Sequence, residues 1–138
     1  MQVKGFGAGV LVEDVAATTR YYREYFGLAV TVELDWFSSL NVGAPGYEIS
    51  FVKRGHESTP EPYRWQEPAA AMFGFVVEDA AAEEKRLREA GAEIVKPLVD
   101  EVYGQRHFFV RDPNGVLVDV IEPIAPDPQW LAESGLAG

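Results

Sequence analysis

An internal duplication constrains the fold of this chain more than any other feature of its sequence. Residues 10–24 (VLVEDVAATTRYYRE) and residues 75–89 (FVVEDAAAEEKRLRE) align at a constant offset of 65 positions, with seven identities in 15 aligned pairs. The identical pairs are Val12/Val77, Glu13/Glu78, Asp14/Asp79, Ala16/Ala81, Ala17/Ala82, Arg23/Arg88 and Glu24/Glu89. Chance composition does not produce identity at this density, so the chain is interpreted as two copies of one structural unit.

Each copy is predicted to contain an opening strand, one helix and three further strands. In the first copy Asp14 is a favourable N-cap, residues 15–26 have the periodicity of an amphipathic helix, and Gly27 closes it. Runs rich in aromatic and β-branched residues predict the strands. The main strand predictions are residues 5–12, 28–34, 36–42 and 47–53 in the first copy and residues 93–99, 106–111 and 116–121 in the second.

The last hairpin of the second copy has the clearest turn chemistry. The segment DPNG at residues 112–115 separates two β runs, where Pro113 fixes φ and the Asn-Gly pair tolerates positive φ. Alternation along the second strand places Val116, Val118 and Val120 on one face and Leu117, Asp119 and Ile121 on the other. An acid between two aliphatic residues lies either at the rim of a sheet or in a pocket.

The predicted fold class is α+β, with two βαβββ modules that form curved sheets around a barrel-like cleft. One helix covers only one face of a four-stranded sheet, so the other face needs the second copy. The helix-covered faces are expected to bury Phe6, Val10, Phe73, Phe75, Val118 and Val120. The chain is treated as a single domain, residues 1–138, with modules at 5–54 and 71–123, a proline-rich linker at 55–70 and a tail at 124–138 that drapes over a surface.

Composition narrows the classes of partner and of chemistry. The formal net charge of −10 argues against nucleic acid and anionic membranes, because phosphate binding needs a basic footprint. The absence of cysteine excludes disulfides, thiolate metal sites and cysteine nucleophiles. No apolar run approaches the about 20 residues of a membrane span, and the N-terminus lacks the layout of a signal peptide, so a cytoplasmic location is expected.

Several motifs taken together resemble the vicinal oxygen chelate superfamily. They are the duplicated βαβββ unit, the VED sequence that starts each helix, the YYREYFGL segment and the DPNG turn. The superfamily includes glyoxalase I, extradiol dioxygenases, fosfomycin-resistance enzymes and bleomycin-resistance binding proteins. The resemblance covers the chain from about Gly5 to Pro123. It implies a fold but not one activity, since the superfamily contains isomerases, transferases, oxygenases and non-catalytic binders.

The resemblance also implies where a metal would lie. Enzymes of that superfamily hold a divalent metal with a residue from the first and last strand of each module. Counting from the motifs assigns these positions to Gly7, Ser50, Met72 and Asp119. Only Asp119 is a competent ligand for a hard metal ion, so no metal and no cofactor are expected.

The predicted ligand-binding residues combine aromatic side chains with a few polar ones. They are Trp36, Ser50, Met72, His107, Phe109 and Asp119, with Tyr63, Trp65 and Tyr103 as covers. Asp119 is expected to have either a raised pKa or a cationic partner, for which Arg106, Arg111 and His107 are candidates.

The individual readings of several of these residues stay open. His107 either contacts a ligand, acts as a base, or is a structural histidine bonded to the backbone or to an acid. Tyr63 and Trp65 either form a lid or pin the linker to the domain or to a partner subunit. His56, in the linker, is expected to be exposed to solvent.

The leading functional hypothesis is a metal-free small-molecule binding protein of the bleomycin-resistance type that sequesters a drug or metabolite. The alternative is a metal-independent glyoxalase-like enzyme, an isomerase or lyase, with His107 or Asp119 as acid or base. A third hypothesis is a metalloenzyme in which Asp119 and His107 act with Glu48 or Glu101. The resemblance implies a homodimer, because members of the superfamily commonly pair modules across two chains.

Overall fold

The computed structural model describes residues 1–136 and has the mixed α+β architecture that the repeat predicts. The first copy contains β1 (Phe6–Val12), α1 (Val15–Phe26), β2 (Ala29–Glu33), β3 (Phe37–Asn41) and β4 (Tyr47–Lys53). The second contains β5 (Met72–Val76), α2 (Ala80–Glu89), β6 (Glu93–Glu101), β7 (Gln105–Arg111) and β8 (Leu117–Pro123), followed by α3 (Pro128–Ser134). Two short 3-10 helices, Glu61–Tyr63 and Pro68–Ala70, lie between the copies. The βαβββ repeat is confirmed.

The strands form two four-stranded sheets with the same topology. The first has the order β1-β4-β3-β2 and the second the order β5-β8-β7-β6. In each sheet the opening strand pairs in parallel with the last strand, and the other pairs are antiparallel. The chain divides into two compact units, one comprising Met1–Ala71 with Asp112–Val116, the other Met72–Arg111 with the chain from Leu117 onward. The predicted arrangement of the two sheets around a shared cleft stays a prediction, as do the predicted domain boundaries.

In the first unit, the capping residues set the limits of α1. Asp14 accepts a hydrogen bond from the Ala17 amide at 2.9 Å, and Gly27 takes the left-handed conformation (φ 64°) that ends the helix. Tyr22 of this helix is fully buried, and its ring stacks on Phe51 of β4 with centroids 5.0 Å apart. Helix α1 therefore covers one face of the first sheet.

In the second unit, the predicted alternation along β8 is confirmed. Val118 and Val120 are buried together with Phe108 and Val110 of β7, and α2, which contacts β6, β7 and β8, contributes the buried Leu87. The residues between them in sequence therefore lie on the face that α2 does not cover. The described residues contain no helix long and apolar enough to cross a membrane.

Two sequence-based expectations about the folded chain were wrong. Phe6 has the parity of a core residue but is 65% exposed, because it pairs with the exposed Tyr47 at the first rung of the β1–β4 ladder, beyond the cover of α1. His56 is half-buried, since its ring stacks flat on Trp36 with centroids 4.0 Å apart. The linker after β4 is therefore an ordered loop that folds back on its own unit.

Gly5, just before β1, and Gly9, within it, differ in what surrounds them, and this difference gives a prediction about stability. A Cβ at Gly5 would lie 2.8 Å from the carbonyl oxygen of Gly46, the same oxygen that accepts a hydrogen bond from the Phe6 amide. A Cβ at Gly9 would meet no atom within 4 Å. We expect Gly5→Ala to lower the free energy of unfolding by about 1–3 kcal/mol, since the β1–β4 ladder must open to admit the methyl group.

The matched control is Gly9→Ala, four residues further along and within β1. It is expected to leave stability unchanged or to raise it by up to about 1 kcal/mol, because alanine restricts the unfolded chain more than glycine does. Urea denaturation of both variants measures the difference. Equal losses at the two positions would contradict the close packing at Gly5.

Candidate functional site

The face of the second sheet that α2 leaves uncovered, called here the helix-free face, carries most of the predicted site residues of this unit. Across β7, β8 and β5, Phe109, Asp119 and Gly74 lie opposite one another in one row. In the next row His107 lies opposite Ile121, which pairs with Val76. The largest exposed apolar side chains of the helix-free face are Met72 and Val76, which are 63% and 70% exposed. The β5 and β8 side of this face is thus apolar around one carboxylate, Asp119, whereas Lys96, Glu101 and Arg111 lie on its β6 and β7 side.

Asp119 is the polar centre of the helix-free face and is only 9% exposed. Its Oδ1 lies 2.8 Å from Nδ1 of His107. Its other oxygen, Oδ2, has no hydrogen-bond partner among residues 1–136 and is not sealed from solvent. Burial raises the pKa of this carboxyl group above its ordinary value, and His107 and Lys96 act in the opposite direction. Asp119 therefore presents one free acceptor oxygen toward the solvent side of an apolar face.

His107 is buried between two carboxylates. Its Nδ1 faces Asp119, and its Nε2 lies 3.1 Å from Oε1 of Glu101. Glu101 also accepts a hydrogen bond from Nζ of Lys96 at 3.0 Å. The hydrogen bonds from His107 and Lys96 hold the pKa of Glu101 below its usual range. The four groups form a hydrogen-bonded chain, Asp119, His107, Glu101 and Lys96, along one end of the face.

This geometry decides what His107 can do chemically. A neutral imidazole has one N–H, and an ionised carboxylate can only accept hydrogen bonds. Both contacts of His107 can therefore be hydrogen bonds only if the ring is an imidazolium or if one of the two acids carries a proton. Both ring nitrogens are engaged, so neither is free to bind a metal or to take a proton from a substrate. Of the three readings of His107, the structural histidine bonded to acids fits the geometry. Arg106 and Arg111 pair instead with Asp100 and Glu93.

Aromatic rings flank this histidine. Phe109 lies edge-on to His107 with centroids 5.1 Å apart, and Tyr103 approaches it edge-on at 6.4 Å. Nζ of Lys96 lies 5.8 Å from the centre of the Phe109 ring. Tyr103, His107, Phe109 and Asp119 therefore form one cluster, and Met72 lies on the same sheet face.

The other predicted ligand-binding residues, Trp36, Ser50, Tyr63 and Trp65, belong to the first unit. One face of the Trp36 ring is covered by His56. The exposed Trp65 packs its ring edge against Gly55 and lies 6.0 Å from the Arg54 guanidinium, which favours the reading that it pins the linker to its own unit. Tyr63 is exposed in the same linker.

Ser50 is part of a polar network on the first sheet that the sequence did not reveal. It donates a hydrogen bond to Oγ of Ser39 at 3.1 Å, and Ser39 donates to Glu48. Thr31 donates to the other oxygen of Glu48 at 3.2 Å. Glu48 is therefore satisfied by hydroxyl groups of its own unit and lies in a different unit from Asp119 and His107.

A cavity of about 230 Å³ lies beside β1 in the first unit. It is lined by Gly9, Val10, Leu11, Gln66, Glu67, Pro68, Ala70 and Ala71. The missing side chain at Gly9 leaves this space, as the glycine-rich strand suggests. Its lining contains one carboxylate, Glu67, which is paired with Arg54.

The residues at the four positions implied for a metal do not fit one. Gly7 has no donor, the Ser50 hydroxyl is directed to Ser39, and Met72 offers an exposed thioether, which is a poor ligand for hard cations. Within residues 1–136, no three His, Asp or Glu side chains are grouped as metal ligands. Glu101 and Asp119 contact opposite nitrogens of the His107 ring, so they do not converge on a common point.

Sequence reasoning missed three contributors near the cluster. Glu101 was considered only as a metal ligand and Lys96 not at all, because irregularities in the β6–β7 register break the simple alternation along β6. Trp130 of α3 lies beside Tyr103, with centroids 6.2 Å apart, and its short proline-flanked helix gives little periodic signal.

Known structures share this fold. TioX from a Micromonospora species superposes with a TM-score of 0.73 at 20% identity over 88% of this chain and 100% of that one. TnmS3, an antibiotic binding protein from a Streptomyces species, gives 0.70 at 16% identity over 88% and 97%. A protein of unknown function from Agrobacterium tumefaciens gives 0.69 at 25% identity over 90% and 98%.

Sequence comparison assigns the family. No curated protein matches the chain. Residues 7–120 match the family model described as the Glyoxalase/Bleomycin resistance protein/Dioxygenase superfamily. That range includes both repeats and the cluster around Asp119. The chain therefore belongs to the Glyoxalase/Bleomycin resistance protein/Dioxygenase superfamily.

Proposed function

We propose that the protein binds a small apolar or aromatic molecule on the helix-free face of the second sheet and sequesters it without a chemical step. The observation that carries the proposal is the free Oδ2 of Asp119 beside the apolar side chains of β5 and β8 on this face. Small-molecule sites typically combine apolar lining with a few placed polar groups. Apolar contact supplies affinity here, and Asp119 supplies direction.

The chemistry of Asp119 specifies part of the ligand. An ionised carboxylate accepts hydrogen bonds and cannot donate them, so the ligand presents an amine, amide or hydroxyl group. Gly74 lies opposite Asp119 and has no side chain, which leaves room for that group. The antibiotic-binding activity stated for TnmS3 gives a precedent on the same fold, and drug or metabolite sequestration is the corresponding role for this chain.

The test uses 9-aminoacridine, an aromatic amine, as the probe in equilibrium dialysis. We expect Asp119→Asn to weaken its binding about tenfold or more, since hydrogen bonds to charged groups contribute about 1.5–3 kcal/mol. Gly74→Val is expected to weaken binding as well, because it fills the space beside Asp119 without changing the charge.

The matched control is Asp35→Asn, which removes one exposed carboxylate from the first unit. It should leave the affinity within about twofold, since exposed charges are screened by salt. Equal losses for Asp119→Asn and Asp35→Asn would mean that the probe responds only to net charge, and the proposed site would be rejected.

A second candidate function is a metal-independent enzyme with Asp119 as acid or base. The raised pKa of Asp119 and its free oxygen favour this role for Asp119, whereas His107 has no free ring nitrogen. Turnover of the hemithioacetal of methylglyoxal and glutathione by metal-free protein, lost in Asp119→Asn, would favour the enzyme over the binder.

Two further properties belong to the same proposal. A homodimer agrees with exposed apolar residues such as Phe6 and Val76, and sedimentation equilibrium tests it. A cytoplasmic location agrees with the cysteine-free sequence.

A further inference from the structure

We infer that the C-terminal segment, residues 124–134, forms an aromatic wall of the binding site, and that Trp130 makes the site selective for flat ligands. This inference rests on the proposed binding function. It adds a selectivity element from a part of the chain to which the sequence assigned no role.

Backbone contacts fix the start of this segment on the β6–β7 turn. The Ile124 amide donates to the carbonyl oxygen of Gly104 at 2.9 Å, and the Asp127 amide donates to that of Val102 at 2.8 Å. Gly104 has φ 96°, and a Cβ there would lie 2.9 Å from the carbonyl oxygen of Ile124. The close approach therefore requires glycine at this position.

A helix cap then sets the direction of Trp130. Oδ1 of Asp127 accepts a hydrogen bond from the Trp130 amide at 2.9 Å, and Pro128 occupies the first turn of α3. Trp130 lies in this first turn, three residues after Asp127, whose amide is bonded to Val102. Its ring is thereby held 6.2 Å from that of Tyr103.

The rings form a continuous row that ends at the polar centre. From Trp130 the row passes to Tyr103, then to His107 at 6.4 Å, and then to Phe109 at 5.1 Å. Tyr103 is exposed and Trp130 half-buried, so both keep ring surface open to a ligand. Among the described residues, the indole N–H of Trp130 has no hydrogen-bond acceptor and is not sealed from solvent. We infer that a flat aromatic molecule contacts the accessible rings of this row, Trp130, Tyr103 and Phe109, while its donor group reaches Asp119.

The experiment compares two amines that differ in shape. Both 9-aminoacridine and 1-aminoadamantane carry a donor group on an apolar body, but only the first is flat. We expect the wild-type protein to prefer 9-aminoacridine, and Trp130→Ala to weaken its binding about tenfold while changing that of 1-aminoadamantane less than about twofold. Trp130→Phe should keep most of the preference because it retains an aromatic face.

The controls distinguish the selectivity contributed by Trp130 from ligand binding at Asp119. Gln129→Ala, at an exposed neighbouring position of α3 whose side chain pairs with Glu133, should change neither affinity. Trp130→Leu covers the case in which Trp130→Ala loosens the tail. Leucine keeps apolar contact with Tyr103, and this variant should still lose the preference for the flat amine. If Trp130→Ala and Trp130→Leu leave the preference intact while Asp119→Asn weakens both amines, the wall is wrong and the binding site stands. If neither amine binds the wild-type protein, both proposals are overturned.

Discussion

Replacing Asp112 with alanine is expected to lower the free energy of unfolding by about 3–5 kcal/mol. Asp112 is buried, and its carboxylate accepts four hydrogen bonds: from the Tyr22 hydroxyl at 2.9 Å, from the backbone amides of Asn114 and Val116 at 2.8 and 2.9 Å, and from the Asn114 side-chain amide at 3.5 Å. Tyr22 is completely buried, and burial together with Asp112 raises the pKa of its hydroxyl, which stays a donor. Alanine leaves these donors without their acceptor, and an unsatisfied buried donor is costly.

Urea denaturation of a set of variants measures this contribution. Tyr22→Phe removes one of the four hydrogen bonds to the Asp112 carboxylate and should cost about 1–2 kcal/mol. The double variant Asp112→Ala/Tyr22→Phe should cost less than the sum of the single losses, because the two side chains share one interaction. Pro113→Ala changes an exposed residue of the same turn and serves as the control. A loss at Asp112 no larger than that at Pro113 would contradict the role assigned to the carboxylate.

The same turn shows which part of the fold the sequence could predict. The backbone chemistry of the turn is local: Gly115 takes φ 81°, as the Asn-Gly pair suggests, although Asn114 itself does not have positive φ. The partner of Asp112 is not local, since Tyr22 lies 90 residues earlier in the chain. Turn propensity therefore predicted the hairpin but not the side-chain contact that stabilises it.

The limits of helices and strands were likewise predicted where local residues set them and missed where long-range pairing does. The limits of α1, Val15–Phe26, agree with prediction because Asp14 and Gly27 define its ends, and β4 also has the predicted limits, Tyr47–Lys53. Strand β6 extends to Glu101, two residues beyond its predicted end. That extension, with its register shifts, is what brings Glu101 to His107.

The candidate site was predicted only in part. The position of Asp119 on the helix-free face follows from alternation, because β8 is regular. Its partner was one of three basic candidates, and the choice of His107 depends on the pairing of β7 with β8, which puts the two residues on neighbouring rungs of one face. The contribution of Trp130 depends on docking of the tail at Gly104, for which the sequence has no periodic signal.

His107→Leu is expected to destabilise the protein by about 2–4 kcal/mol at pH 7, because it leaves the carboxylate of Asp119 without a partner in apolar surroundings. Adding Asp119→Leu removes that unpaired charge and should recover most of the loss. His56→Leu is the matched control, since His56 stacks on Trp36 and its ring nitrogen faces the Ser58 hydroxyl, not a carboxylate.

The deficit of His107→Leu should shrink as the pH falls from 7 to 4. In the variant, Asp119 loses the contacts with His107 that lower its pKa and keeps only the smaller opposing effect of Lys96. Burial still raises the pKa, so the native state binds a proton more tightly than the unfolded chain, and acidification stabilises the variant. Glu101 loses the hydrogen bond from His107 that lowers its pKa. In the wild type the stability from this bond is complete above the ordinary pKa of a glutamate and is lost as the pH falls from there through the lowered pKa. Both effects make the stability deficit of His107→Leu smaller as the pH falls. Urea denaturation at the two pH values measures the deficit, and a double variant no more stable than His107→Leu alone would show that Asp119 does not depend on His107 for its charge compensation.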